Sequence, residues 1–395
     1  MDPVGSRGTL WAARAIAFVA FFDLFSQFPV VAPYAHQLGA SPAMVGIVVG
    51  AYSFANLFGN LAAGPLLDRW GRKPAITLSL VAAAASLVLY TLVQTAEQLV
   101  AVRIVHGLAA AVLSPGAFAL LSDAARPEAR ARALGSAAAL IAVAAVLGPS
   151  LSGIVRERFG PSVVFLGVAV LLLATAAVVA IAVRERAIPV AQEGTFSTFG
   201  ALLRRRGLLV AFAAIAALTV ALGTLVAHLP IQLDVRGEAA RASGTAFSVY
   251  ALVALIGLAG PASWLSDRFG RARPLAAGLT GIGLAMLLLA AVTTMTGVYL
   301  AMALFGLGFA LLFPAASALV VDSAEPGERG TGFGLFYAVY SAGTVVGATS
   351  AGVLAETFGE AAPAPFLLGA IAALLVAPVA LVALRKGSEQ WVSSR

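Results

Sequence analysis

The sequence predicts an all-α membrane protein: twelve transmembrane helices in two pseudo-symmetric six-helix bundles, with both termini in the cytoplasm. Three observations carry this reading. Hydrophobic residues make up 61% of the chain and charged ones only 11%, with a mean hydropathy of +0.96, far outside the range of soluble domains. Apolar stretches of roughly 20 residues, the length a helix needs to cross about 30 Å of hydrocarbon, recur twelve times. A charged motif from the first half returns in the second at a fixed offset.

The spans fall near 10–35, 44–67, 74–94, 98–121, 133–154, 162–183, 208–231, 244–266, 274–293, 297–321, 331–354 and 363–384. Lipid cannot satisfy backbone polar groups, and runs of this length without strict alternation favour helices over a barrel. The 40 glycines and many alanines suit membrane helices, where small residues allow close backbone approach. The first span begins with the polar MDPVGSRGT and has no convincing cleavage site, so it is expected to be retained.

The net charge of +7 does not point to nucleic acid, because of where the basic residues lie. With the amino terminus inside, most of the 25 Lys and Arg fall in cytoplasmic segments, as the positive-inside rule requires. This surplus orients the chain against anionic lipid headgroups. The longest polar interval, RERAIPVAQEGTFSTFGALLRRRG, divides the chain into bundles 1–183 and 208–395 joined by a cytoplasmic linker at 184–207. The absence of cysteine removes disulfides and thiolate metal sites. No metal, no cofactor and no enzymatic motif such as HExxH, GxSxG or a phosphate-binding loop is expected.

LLDRWGR around Asp68 returns as LSDRFGR around Asp267, 199 residues on, and the same offset carries Gly107, Pro115, Asp123, Pro127, Gly148 and Gly153 onto Gly306, Pro314, Asp322, Pro326, Gly347 and Gly352. Six helices are therefore present twice, and an even number per copy leaves both facing the same way.

GPLLDRWGRK resembles the loop motif between spans 2 and 3 of the major facilitator superfamily, with Gly64, Asp68, Arg69, Gly71, Arg72 and Lys73 at matching positions. The resemblance implies a conformational latch on the cytoplasmic side. Asp68 would face the positive end of a neighbouring helix, and Arg69 and Arg72 would reach carboxylates such as Asp123. The second copy, Asp267, Arg268 and Arg271, has Ser263 and Ala272 where the first has Gly64 and Lys73, so helix approach should be looser there.

In span 5, Gly135, Ala144, Gly148, Pro149, Ser152 and Gly153 resemble the antiporter motif of twelve-span drug:proton antiporters, with Ala144 and Ser152 replacing two glycines. The small residues give one close-packing face, and Pro149 bends the helix; a generic packing face would read the same way. The second-half counterpart, GATSAG from Gly347, lacks the proline.

Of the 18 acidic residues only Asp23 lies near the middle of a span, and of the basic residues only Arg103 is clearly inside one. Ionisable groups at that depth cost several kcal/mol, and mark either function or a structural ion pair. The two sit within roughly 7 Å in height, a gap arginine can bridge. His106, one turn from Arg103, is a second titrating candidate for proton coupling or a merely hydrogen-bonded histidine. Gln27 shares the face of Asp23. Asn56 and Asn60, His228, Gln232, Tyr337 and Tyr340 are candidate cavity-lining groups, the asparagines equally explained by interhelical hydrogen bonds. Pro29 and Pro33 read as kinks.

A cavity charged on one side and apolar or aromatic on the other suits amphipathic or lipophilic molecules better than sugars. The expected function is a proton-coupled secondary transporter exporting such compounds by alternating access. The alternatives are a lipid or lipid-linked sugar flippase of the same fold, proton-coupled solute uptake, and a transport-dead sensor or membrane enzyme. Partners are the substrate, protons and membrane lipids, the protein is expected to be a monomer, and the resemblance implies a bacterial inner membrane. The main latch is assigned to the first loop: at equal expression, Asp68→Asn should reduce transport more than Asp267→Asn, the gap being at least about tenfold if the carboxylate contributes a charge-assisted hydrogen bond.

Overall fold

The computed structural model describes residues 7–126, 129–183, 202, 204–260, 268–325 and 328–393. All regular structure among them is helical. Twelve helical segments are long and apolar enough to cross a membrane. Asp267 and most of the linker, 184–201, lie outside the described residues, as do Pro127, Ser263 and Pro326.

The first copy comprises α1 (Arg7–Ser26), α2 (Val31–Gln37), α3 (Pro42–Trp70), α4 (Arg72–Tyr90), α5 (Ala96–Ala110), α6 (Leu113–Ala124), α7 (Arg130–Phe159) and α8 (Pro161–Ala182). The second comprises α9 (Arg206–Val235), α10 (Ala240–Ala259), α11 (Ala272–Ala291), α12 (Met295–Ser323), α13 (Arg329–Phe358) and α14 (Ala364–Ser393). Contacts cluster into two compact units, one of residues 1–40, 51–192 and 237–248, the other of 41–50, 193–236 and 249–395. Residues 42–50 of α3 thus belong to the second unit, and the first turns of α10 to the first.

The internal repeat extends to the helix boundaries. The glycines with positive φ pair at the same offset or one residue short of it: Gly71 with Gly270, Gly160 with Gly359, and Gly39 with Gly237. Only a residue without a Cβ enters that region freely, so each turn is encoded twice. Thr95 caps α5 by accepting the Gln98 amide, and Thr294 caps α12 by accepting that of Gly297. Within the first unit α1 packs on α6, α7 and α8, and α4 on α5 and α8; within the second, α9 packs on α12, α13 and α14, and α11 on α12 and α14. Apolar side chains such as Ile181 and Leu375 point outward, 86% and 66% exposed, as a lipid-facing surface requires.

The copies differ in continuity. The first expected span is interrupted between Ser26 and Val31, where Pro29 has no amide to donate and Gln27 O accepts the amides of Val30 and Val31 at 3.1 and 3.0 Å. The fourth is interrupted at Ala111 and Val112, and Pro115 cannot donate to the Ala111 carbonyl. Both interruptions are buried: Val30, Ala111 and Val112 are at most 4% exposed. In the second copy, Pro230 and Pro314 lie inside the uninterrupted α9 and α12.

Close approach at glycines recurs through both units. A Cβ on Gly107 would collide with the Tyr52 carbonyl oxygen, and one on Gly306 with that of Tyr250. A Cβ on Gly64 would meet nothing within 4 Å, so the looser approach expected at Ser263 has no tight counterpart at Gly64. Gly107→Ala should therefore lower stability by about 1–3 kcal/mol through overpacking. Gly64→Ala should be neutral or stabilising by up to about 1 kcal/mol. Apparent unfolding temperature in detergent distinguishes the two signs.

Candidate functional site

One group of buried polar side chains in the first unit converges between α1, α3, α4 and α5. Asp23 and His106 are fully buried, and Gln27 and Arg103 are 4% and 6% exposed. Asp23 lies in the last turn of α1 and Gln27 four residues on, just past its end, and Gln27 Nε2 donates to Asp23 Oδ1 at 2.8 Å. Arg103 and His106 lie three residues apart on α5 and reach the same face. His106 Nε2 is 3.0 Å from Asp23 Oδ2, and Arg103 Nη1 donates to Gln27 Oε1 at 2.5 Å. The structure therefore brings together all four residues expected at the centre, with Gln27 as a bridge between carboxylate and guanidinium and His106 directly on the carboxylate.

Three tyrosines complete the cluster. Tyr90 Oη is 3.1 Å from His106 Nδ1 and accepts from Arg103 Nη1 at 3.5 Å. Tyr34 Oη donates to the Tyr90 carbonyl at 2.6 Å, tying α2 to the end of α4. The Arg103 guanidinium lies 4.9 Å from the Tyr52 ring centroid, a cation–π contact that further supports the buried charge. None of these tyrosines stands out in the sequence: Tyr90 ends a span, where an aromatic residue reads as an interfacial anchor.

The network links the protonation of Asp23 to the hydrogen-bonding roles of His106 and Tyr90. With Asp23 ionised, His106 Nε2 donates to it, and in the neutral Nε2–H tautomer Nδ1 accepts from the Tyr90 hydroxyl. A proton on Asp23 Oδ2 reverses the order: His106 Nε2 accepts, Nδ1 donates, and the Tyr90 hydroxyl becomes an acceptor. Moving one proton thus reorients hydrogen bonds across three helices.

The remaining candidates separate into other places. Asn56 Nδ2 donates to the Gly107 carbonyl at 3.2 Å and Asn60 Nδ2 to Asn56 Oδ1 at 2.7 Å, so this pair fastens α3 to α5 beside the cluster. His228 and Gln232 are buried in α9. Gln232 Nε2 donates to the Ala361 carbonyl at 3.5 Å, and the His228 ring stacks edge-on to Phe366. His228 lines a small cavity with Ile231, Ala351, Gly352 and Glu360. Tyr337, half exposed, and Tyr340 lie on α13 about 16 Å or more along the helix from Ala351. These four do not form one cluster.

At the loop motif, Arg72 Nε donates to Asp123 Oδ2 at 2.5 Å, and its repeat counterpart Arg271 Nε to Asp322 Oδ2 at 3.2 Å. Asp68 is half-buried near the end of α3, Arg69 is exposed, and the Arg268 guanidinium lies over the Phe269 ring. Arg205 Nη1 joins the second copy through Glu328 Oε2 at 2.6 Å and the Ser323 carbonyl at 2.9 Å. The Glu325 amide, followed by Arg205, holds the Glu328 carboxyl below its ordinary pKa.

On α7, Gly148 lies where a Cβ would be 3.2 Å from Ser26 N and 3.3 Å from Phe25 Cβ. One at Gly153 would be 3.2 Å from the Cα atoms of Arg241 and Gly244. Pro149 lies inside α7, and Gly135 has open space around it. Among the described residues no cluster of His, Asp and Glu suited to a metal is found.

A family model described as Major Facilitator Superfamily matches residues 15–263 and 239–394. Multidrug resistance protein 1 of Bacillus subtilis is 31% identical over 40% of this chain and 40% of its own length. Quinolone resistance protein NorA of Staphylococcus aureus is 26% identical over 35% of this chain and 38% of its own. The chain thus matches about two fifths of these relatives. Among solved structures, the nucleoside transporter NupG has a TM-score of 0.80 at 15% identity, covering 95% of this chain and 99% of its own. An inward-facing, unoccupied bacterial homologue of the human lysosomal transporter Spinster has a TM-score of 0.81 at 16%, covering 96% and 98%. These likenesses concern the fold.

Removing one member of a buried charge cluster leaves its partners uncompensated. Asp23→Ala should lower stability by about 3–5 kcal/mol, and Tyr90→Phe, which removes one hydroxyl, by about 1–2 kcal/mol. The order of apparent unfolding temperatures, wild type above Tyr90→Phe above Asp23→Ala, checks this.

Proposed function

Because the chain belongs to the major facilitator superfamily, whose members are membrane transporters and not enzymes, we propose that it exports amphipathic or lipophilic compounds in exchange for protons, with Asp23 as the proton carrier. One observation supports this most strongly. At the repeat offset of 199, Asp23, Gln27, Arg103 and His106 correspond to Leu222, Val226, Met302 and Phe305, all at most 8% exposed. The same fold therefore packs these positions with apolar residues of comparable size. Buried charges are frequently no better for stability than such replacements, so their retention in one copy favours a role in transport over a role in packing.

In this reading the site binds a proton or a cationic cargo at one carboxylate, and occupancy by one favours loss of the other. Burial raises the affinity of a carboxylate for protons, while a nearby guanidinium lowers it, so a change in exposure alters the balance. His106 and Tyr90 accept the rearranged hydrogen bonds. The two units alternate access to the cargo, and the Arg72–Asp123 and Arg271–Asp322 pairs hold the cytoplasmic loops in one of the two states. The small-residue face of α7 and the resemblance to multidrug exporters support export as the direction. A bacterial inner membrane fits the bacterial relatives.

The test is reconstitution of the purified protein in liposomes with an imposed proton gradient, following a panel of lipophilic cations. Wild type should move at least one of them in a gradient-dependent manner, and Asp23→Asn should reduce that rate by at least about tenfold, the loss of one charge-assisted interaction. Equal rates in the two proteins would remove Asp23 from the coupling step. No movement of any cation would transfer the reading to lipid flipping or to another solute.

A further inference from the structure

The fifth span of each copy ends on the same carboxylate: Glu157 and Glu356, 199 residues apart. In the first unit Glu157 Oε2 accepts the Arg241 amide at 3.0 Å and Oε1 accepts from Arg241 Nη1 at 2.8 Å, at the start of α10. In the second, Glu356 Oε2 accepts the Ala43 amide at 2.9 Å and the Ser41 hydroxyl at 3.0 Å, at the start of α3. Each carboxylate caps a helix whose first amides have no internal partner. The preceding residues differ, being Arg156 in the first copy and Ala355 in the second.

Arg156 is 8% exposed and its Nη1 donates to the Pro29 carbonyl at 2.9 Å. Pro29 lies in the interruption between α1 and α2, two residues beyond Gln27, where backbone carbonyls have lost their helical donors and must be satisfied within the protein. The same helix α7 meets the end of α1 at Gly148, against Phe25 and Ser26. It therefore grips α1 on both sides of Gln27, once by close packing and once by a charged hydrogen bond. The next residue, Glu157, grips α10.

We propose that Arg156 is a positioning residue that couples the proton state of Asp23 to the Glu157 clasp on α10; the inference rests on the reading of Asp23 as the proton carrier. When Asp23 gains or loses a proton, Gln27 and the interrupted backbone at 27–30 shift. Arg156 passes that displacement to the end of α7, where the clasp holds or releases the start of α10. The second copy has the clasp but neither the buried charges nor the arginine, so only the first connects the two. The ionisable groups facing Asp23 are His106 and Arg103 of α5, Tyr90 of α4 and Tyr52 of α3. Of the other helices packed on α1, α8 carries no ionisable side chain and α6 only Asp123, held by Arg72. Besides Arg156 and Glu157, α7 has only arginines at its two ends.

The chain contains no cysteine, so spin labels can be placed at Phe159→Cys and Ala239→Cys, both exposed, beside the clasp. In reconstituted wild type the inter-label distance should differ between an acidic and an alkaline buffer. Asp23→Asn should abolish the shift. Arg156→Gln should abolish it while keeping the short distance, Arg156→Lys should restore at least part of it, and Glu157→Ala should lengthen the distance at both pH values. Should Arg156→Gln fail to fold, Arg156→Met, which keeps the packing stem, replaces it. A full shift in an arginine-less protein, with Asp23→Asn silent, overturns the coupling role and leaves the Asp23 reading intact. A full shift in Asp23→Asn overturns both.

Discussion

A carboxylate with no exposed surface, in the last turn of α1 before the first span is interrupted, is the constraint around which the first unit is organised. Desolvating it costs several kcal/mol unless each lone pair is met by a donor. The donors come from two places: Gln27 from just past the end of α1, and His106 from α5, whose position is set by the contact of Gly107 with the Tyr52 carbonyl and by the Asn56 hydrogen bond to Gly107. A bulkier residue at 107 would withdraw α5 and with it both His106 and Arg103. Packing and electrostatics are thus one problem here, because the polar groups meet only where the backbones can approach.

The repeat separates what the fold needs from what one copy adds. Turn glycines, threonine caps, the arginine–aspartate pairs of the loop motif and the glutamate clasps occur twice. They lie at helix ends, where direction changes and terminal amides need partners. Among the described residues the buried charge cluster, the two interrupted helices and Arg156 occur once, and Arg156 meets the first interruption at the Pro29 carbonyl. Interruption is tolerated at that depth when other protein groups satisfy the freed backbone, and at the first interruption Gln27 donates to the Asp23 carbonyl and Arg156 to that of Pro29. A continuous α9 with Leu222 and Val226 in place of Asp23 and Gln27 has no such need.

Much of this is legible in the sequence. Span number, the offset of 199, the isolation of Asp23 and Arg103 and the shared face of Gln27 and Asp23 all follow from residue type and spacing, which a single chain displays. Partner choice does not. Tyr90 and Tyr34 enter the cluster through tertiary contacts between a span end and a short helix, and nothing local marks them. Arg156 reads as one more loop arginine until the Pro29 carbonyl is placed beside it. Interruptions are equally hidden, since Pro29 and Pro115 accompany breaks while Pro230 and Pro314 lie within continuous helices.

The division between copies also bears on how a proton can do mechanical work. A titrating group shifts a conformational equilibrium only by the difference in its interactions between the two states, so a carboxylate held in an unchanging cage would bind protons without consequence. The cage of Asp23 is continuous with a break in the backbone. Its hydrogen-bonding partner Gln27 is the residue whose carbonyl takes the two amides that restart the helix at Val30 and Val31. A change in the side-chain network is therefore also a change at the helix junction, and the junction's next carbonyl, that of Pro29, is held by the helix that clasps α10. In the second copy the same displacement has no origin, because α9 runs unbroken past Leu222 and Val226 and carries no charge at that depth.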